Sequence, residues 1–102
     1  MKKLQLDVQE FLQTQKLECG LEFRLLDLLS ELGEVAKEIL IASKYGKEIG
    51  TMSPKFGEEV GDLQFCLLAL ANQTGIDLEA ATKYAMEKYR NRIHLKGHPG
   101  SN

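Results

Sequence analysis

At 102 residues and a formal net charge of −2, the chain has the length of one domain and lacks the basic field that holds nucleic acid. Its composition, 43% apolar and 27% charged, is that of a soluble globular protein, and no run of 18 or more apolar residues offers a membrane span. The opening MKKLQLDVQEF is interrupted by polar residues too early to form the apolar core of a secretory signal, so a cytoplasmic setting is expected.

Four helices are expected, in chain order. Leu4, Val8, Phe11 and Leu12 recur at helical spacing and predict a first helix over about 3–16. The longest periodic segment predicts a second over about 21–44, ended by the glycines and polar cluster of YGKEIGTMS. Ser53 offers a cap and Pro54 suits the first helical position, so a third helix should run from there to about Gln73 and stop at Thr74-Gly75. Asp77 caps a fourth, reaching about Arg92. No useful stretch alternates with period two.

The expected fold is all-α, a four-helix bundle whose short links favour antiparallel neighbours, in one domain over residues 1–102 with a helical core at about 3–92. Residues 93–102 are expected to be a tail. His94 and His98 have the i,i+4 spacing of a metal pair, but Gly97 and Pro99 argue against a helix there. A domain this small buries only about 60–70% of its unfolded surface, which is compatible with a homodimer or homotetramer. Cys19 and Cys66 lack the spacing of a zinc or redox motif and read as buried or idle thiols.

The carboxylates carry the functional signal. On the second helix, Asp27, Glu31, Glu34 and Glu38 fall within about 60° of arc, bordering an apolar stripe of Leu25, Leu28, Leu32, Val35 and Ile39. Like charges three or four residues apart each cost a helix about 0.2–0.5 kcal/mol, and Lys37 lies too far round to relieve them. On the third helix, Glu59 falls inside the stripe of Phe56, Val60, Leu63, Cys66, Leu67 and Leu70, with Asp62 at its edge. A carboxylate there needs a proton, a cation or a metal. If the two helices pack antiparallel, Glu31, Glu34, Glu59 and Asp62 face one another. Such a set of hard oxygen donors suits Mg²⁺ or Mn²⁺, ions commonly bound together with substrate phosphates. A titrated acid cluster without metal is the competing reading.

E-L-G-E at 31–34 and E-E-V-G-D at 58–62, with G-I-D-L-E following at 75–79, resemble the E-x-x-E … E-x-x-D signature of the MazG-like nucleoside triphosphate pyrophosphohydrolases. The resemblance covers about residues 20–92. It implies an all-α pyrophosphohydrolase that splits (d)NTPs into NMP and pyrophosphate with Mg²⁺, often as a housecleaning enzyme, and that packs into dimers or tetramers. It also implies that Glu31, Glu34, Glu59 and Asp62 are the metal ligands. Glu38 and Glu58 are placed to bind a second ion or orient the attacking water, and which of them does so is open.

For the substrate, Lys88 and Arg92 border the apolar stripe of the fourth helix (Ala85, Met86, Tyr89, Ile93) where the family places basic residues, although solvated helix-end cations read equally well. Asn91 stands in a shifted place relative to the family's asparagine. Asn72 is either a nucleotide contact or a helix-end cap. Two alternatives stand beside this reading. The related phosphoribosyl-ATP pyrophosphohydrolases tend to place tyrosine and histidine shortly after the motif aspartate, where this chain has Phe65-Cys66. A non-catalytic helical dimerisation module would keep the acid cluster without turnover.

Overall fold

Glycine and proline punctuate the chain where the backbone reverses. The computed structural model describes residues 1–101, and Asn102, the end of the expected tail, lies outside the described residues. Its four helices are α1 (Lys2–Thr14), α2 (Leu21–Ala42), α3 (Pro54–Gln73) and α4 (Leu78–Lys96), with no strand among the described residues. Pro54 opens α3 at its first turn. Ser53 occupies the capping position, but its hydroxyl makes no capping bond. Asp77 does cap α4, its carboxylate accepting from the Ala80 N–H at 3.1 Å. α4 runs past Arg92 to Lys96 and closes on Gly97, whose φ of 83° is the left-handed turn that glycine takes without strain. His94 is therefore helical and His98 is not.

α1 lies on the C-terminal half of α3. Val8 and Leu12 meet Leu68 and Ala69 in the small buried core, with Phe65 and Leu78 packed against it. Phe11 meets Phe65 edge to face at 5.9 Å between centroids. A polar clamp fastens the same seam. The Gln5 side-chain amide donates to the Ile76 carbonyl at 2.8 Å and accepts from the Leu78 N–H at 2.9 Å. The Asn72 amide donates to the Gln5 carbonyl at 2.8 Å. Gln5 thus ties α1 to the turn between α3 and α4, and the buried polar groups satisfy one another.

α2 and α3 form the most extensive helix pair, and they run antiparallel. Lys55 at the start of α3 meets Glu38 late in α2 at 3.8 Å, while Cys66 further along α3 meets Asp27 early in α2 at 3.4 Å. The loop between them folds back so closely that a Cβ at Gly50 would run into the Ala42 carbonyl.

Here the expected cores are only partly met. Of the α2 stripe, Leu25, Leu32 and Ile39 are exposed and only Leu28 and Val35 are half-buried. On α1, Leu4 and Phe11 are exposed while Val8 and Leu12 are buried. On α3, Cys66 of the expected stripe is buried, but Leu68 and Ala69 beside the stripe are tighter still, because α1 covers that face. α4 buries no residue, and Met86, Tyr89 and Ile93 are exposed. The Cα radius of gyration is 16.8 Å, against about 13 Å for a compact 100-residue domain. One chain alone leaves much of its apolar surface in water.

Candidate functional site

Three carboxylates meet where α2 crosses α3. Ligand oxygens of Glu31, Glu59 and Asp62 all lie within 4.8 Å of one another, Glu31 and Glu59 half-buried and Asp62 exposed. The helical period explains the meeting: Glu59 and Asp62 are three residues apart on one face of α3, and the antiparallel crossing brings Glu31 opposite them. Glu34, the fourth expected ligand, is exposed and stands outside that group.

The other carboxylates are placed differently. Glu38 is held by Lys55 at 3.8 Å, its side chain only 15% exposed. Glu58 is exposed, about 100° round the helix from Glu59. Asp27 faces the acid cluster from one turn earlier on α2. It accepts the Cys66 thiol hydrogen at 3.4 Å and pairs with Arg24 at 3.7 Å.

The charge balance within the cluster is negative. Glu31 titrates above its ordinary range, first because the packed face dehydrates it and then because Asp62, Asp27, Glu59 and Glu34 repel its charge. Lys55 and Arg24 are committed to Glu38 and Asp27, and no cation pairs with Glu31, Glu59 or Asp62 among the described residues. Three hard oxygen donors converging without a protein cation fit a small divalent ion, whose octahedral oxygens span about 4 Å. The donor set contains no sulfur or imidazole, so it suits magnesium or manganese better than zinc.

Both thiols are free, as expected, but they sit in different settings. Cys66 is buried, and dehydration followed by the Asp27 hydrogen bond pushes its pKa up to about 12. Cys19 is exposed, in the link between α1 and α2. That link carries no helical period, so its exposure left no sequence signal.

The expected substrate residues lie apart from the acids. Lys88 and Arg92 flank the Tyr89 ring, at 5.3 and 5.9 Å from its centroid, and Arg92 also donates to the Pro99 carbonyl at 3.2 Å. Asn91 is exposed beside them on α4, which makes little contact with the other helices. Asn72 belongs to the Gln5 clamp. Sequence reasoning missed the Gln5 clamp and the burial of Arg24, for which neither motif nor period gave a signal.

No helix is long and apolar enough to cross a membrane, among the described residues. Residues 21–95 match the model of the MazG nucleotide pyrophosphohydrolase domain. The uncharacterized protein YpjD of Bacillus subtilis strain 168 is 38% identical over 68 residues, 64% of this chain and 60% of that protein, so the chain's match spans three-fifths of this relative. The crystal structure of the "putative pyrophosphatase YPJD" of Bacillus subtilis is similar throughout, with a TM-score of 0.74 and 32% identity over 90% of this chain and 94% of that one. With three-quarters of its length inside the family model, the chain belongs to the MazG nucleotide pyrophosphohydrolase family.

Proposed function

We propose that this protein hydrolyses nucleoside triphosphates, (d)NTPs, to the monophosphate and pyrophosphate with Mg²⁺ (Mn²⁺ substituting), as a nucleotide-pool housecleaning enzyme. The convergence of Glu31, Glu59 and Asp62 within 4.8 Å, with no cation paired to them among the described residues, is the observation that carries this reading. In it, these three hold the ion, and Glu34 joins them by a rotamer change from the next turn of α2. A bound Mg²⁺ supplies charge for the phosphate oxygens and acidifies the attacking water.

The chain's own groups do the rest. Glu38 and Glu58 are the candidates to orient the water, and Lys55, at 3.8 Å, holds Glu38 in place for that role. No serine, cysteine or histidine nucleophile enters. Cys66 stays protonated and only steadies Asp27. Lys88, Arg92 and Asn91 on α4 reach a triphosphate only if α4 closes on the acids or delivers them to a second copy.

A second copy also answers the exposed apolar surface. Leu21, Leu25, Leu67, Leu70, Ile76 and Leu78 line an apolar trough of about 290 Å³, the size of feature that another helix fills. A homodimer or homotetramer covering it would bury what one chain leaves exposed.

The test is pyrophosphate release from a panel of NTPs and dNTPs with and without Mg²⁺, beside Glu59→Gln. Metal-dependent release that falls at least about a hundredfold in the variant is expected, the scale of losing electrostatic stabilisation of a transition state. Release that survives the substitution would remove the acid cluster from the chemistry.

A further inference from the structure

The seam between α2 and α3 continues past the acids. Arg24, Asp27 and Glu31 share one face of α2, three and four residues apart, and Glu59, Asp62, Cys66 and Ala69 share the facing stripe of α3. The Cys66–Asp27 bond sits midway. Seven residues, about 10 Å of helix rise, separate Glu31 from Arg24. At that far end is a cavity of about 180 Å³, walled by Arg24, Leu12, Gln9, Gln13, Cys19 and Asn72 together with Ala69.

Arg24 is 5% exposed, and its polar needs are only partly met. One terminal nitrogen donates to the Leu17 carbonyl at 3.2 Å and the other faces Asp27 at 3.7 Å, while the Nε–H finds no acceptor among the described residues. A guanidinium only donates, and an unmet donor at this depth costs about 1–3 kcal/mol or more. The cavity therefore suits a ligand that brings an acceptor.

An anion is the poorer choice. Arg24 shares its charge with Asp27, and Glu18 lines the same cavity. A neutral carbonyl oxygen avoids that repulsion, and the neighbouring amides of Gln9 and Gln13 offer donors and acceptors. Size decides the rest. An apolar cavity of roughly 150 Å³ holds one benzene ring, so this volume matches a single six-membered ring with its exocyclic oxygens better than a fused purine.

We infer that the Arg24 cavity seats the keto-pyrimidine base of the substrate, with Arg24 as its specificity residue and the phosphates directed toward Glu31, Glu59 and Asp62, about 10 Å away along α2. This rests on the nucleotide reading above and adds the substrate class to it.

The exposed Cys19 thiol at the cavity wall gives a readout that needs neither metal nor turnover. Maleimide labelling of Cys19 in the full chain, without Mg²⁺, is followed with deoxyuridine or deoxyadenosine present. Deoxyuridine should slow labelling and deoxyadenosine should not, and Arg24→Met should abolish the protection. In parallel, dUTP should exceed dATP in kcat/KM, and Arg24→Met should cut that preference at least about tenfold, mainly through KM, as expected for losing a hydrogen bond to a charged group. Where Arg24→Met fails to fold, Gln13→Trp, which fills the cavity from an exposed helical position, must remove both effects. Equal protection by the two nucleosides, no protection, or protection that leaves the dUTP preference intact in the variants overturns the inference. If no triphosphate is cleaved at all, the nucleotide reading fails on its own, and the labelling result then reports on the cavity alone.

Discussion

The seam between α1 and α3 and the outer face of α2 with α4 are both rich in apolar residues, yet only the first is finished within one chain. At the seam, Val8, Leu12, Leu68 and Ala69 close on one another, and Gln5 satisfies the backbone where α3 turns into α4. On the outer face, Leu25, Leu29 and Ile93 remain more than half exposed. The difference shows that a greasy stripe states which face leaves water but not what covers it. The covering group can be another helix of the same chain or another molecule.

One pair of substitutions separates those two cases. Leu68→Ala, at 2% exposure, should cost about 2–5 kcal/mol in urea unfolding, by lost transfer energy and the cavity left behind. That loss should be the same at every protein concentration. Leu25→Gln, at 56% exposure, should change the intrinsic stability of a single chain by no more than about 0.5 kcal/mol. Its effect should appear instead in sedimentation, as a shift from assembled protein toward the single-chain mass. If Leu25→Gln leaves the sedimenting mass unchanged, the trough is not the contact between copies.

The clamp sharpens the same comparison at a smaller scale. Gln5→Ala removes three hydrogen bonds at once and leaves the Ile76 carbonyl and the Leu78 N–H without their partner. A loss of about 1–3 kcal/mol is expected, set by stranding buried polar groups rather than by lost packing. Hydrogen exchange should show the α3–α4 turn opening first, since the clamp acts there. Global destabilisation with no local opening would mean that Leu78 packing, not Gln5, fixes the turn.

Much of this was legible in the sequence, for identifiable reasons. Pro54, Thr74-Gly75 and Asp77 marked three helix ends, because each depends on backbone chemistry local to a few residues. The meeting of Glu31 with Glu59 and Asp62 was legible too, since antiparallel packing of two periodic helices leaves little choice of register. What escaped were features made by tertiary contact alone. The period of α3 places Leu67 and Leu70 in the core stripe and leaves out Leu68 and Ala69, yet α1 buries the second pair while the first stays half-buried. No sequence signal marked Arg24 as buried, yet its place beneath the link after α1 turns it into an unmet donor at a cavity wall. Likewise α4 carries a clear apolar face, and its sequence does not say that the face points away from the rest of the chain.

The smallest expected effect has the most informative sign. Because Glu31 titrates above its ordinary value, the folded state holds its proton more tightly than the unfolded one. Stability of the metal-free protein should therefore fall as pH rises from the unfolded carboxylate value, about 4.3, through the higher folded value. Below that window the penalty is absent because both states are protonated. Glu31→Gln removes it, so metal-free Glu31→Gln should melt slightly above the parent protein at pH 7, and the gap should close near pH 4. Mg²⁺ should reverse the order at pH 7, raising the parent's melting temperature while shifting the variant less, since a ligand of the folded state stabilises in proportion to its binding. A metal-free variant that melts below the parent at pH 7 would mean the Glu31 carboxylate already holds a favourable contact, and the cluster would then be structural rather than poised for an ion.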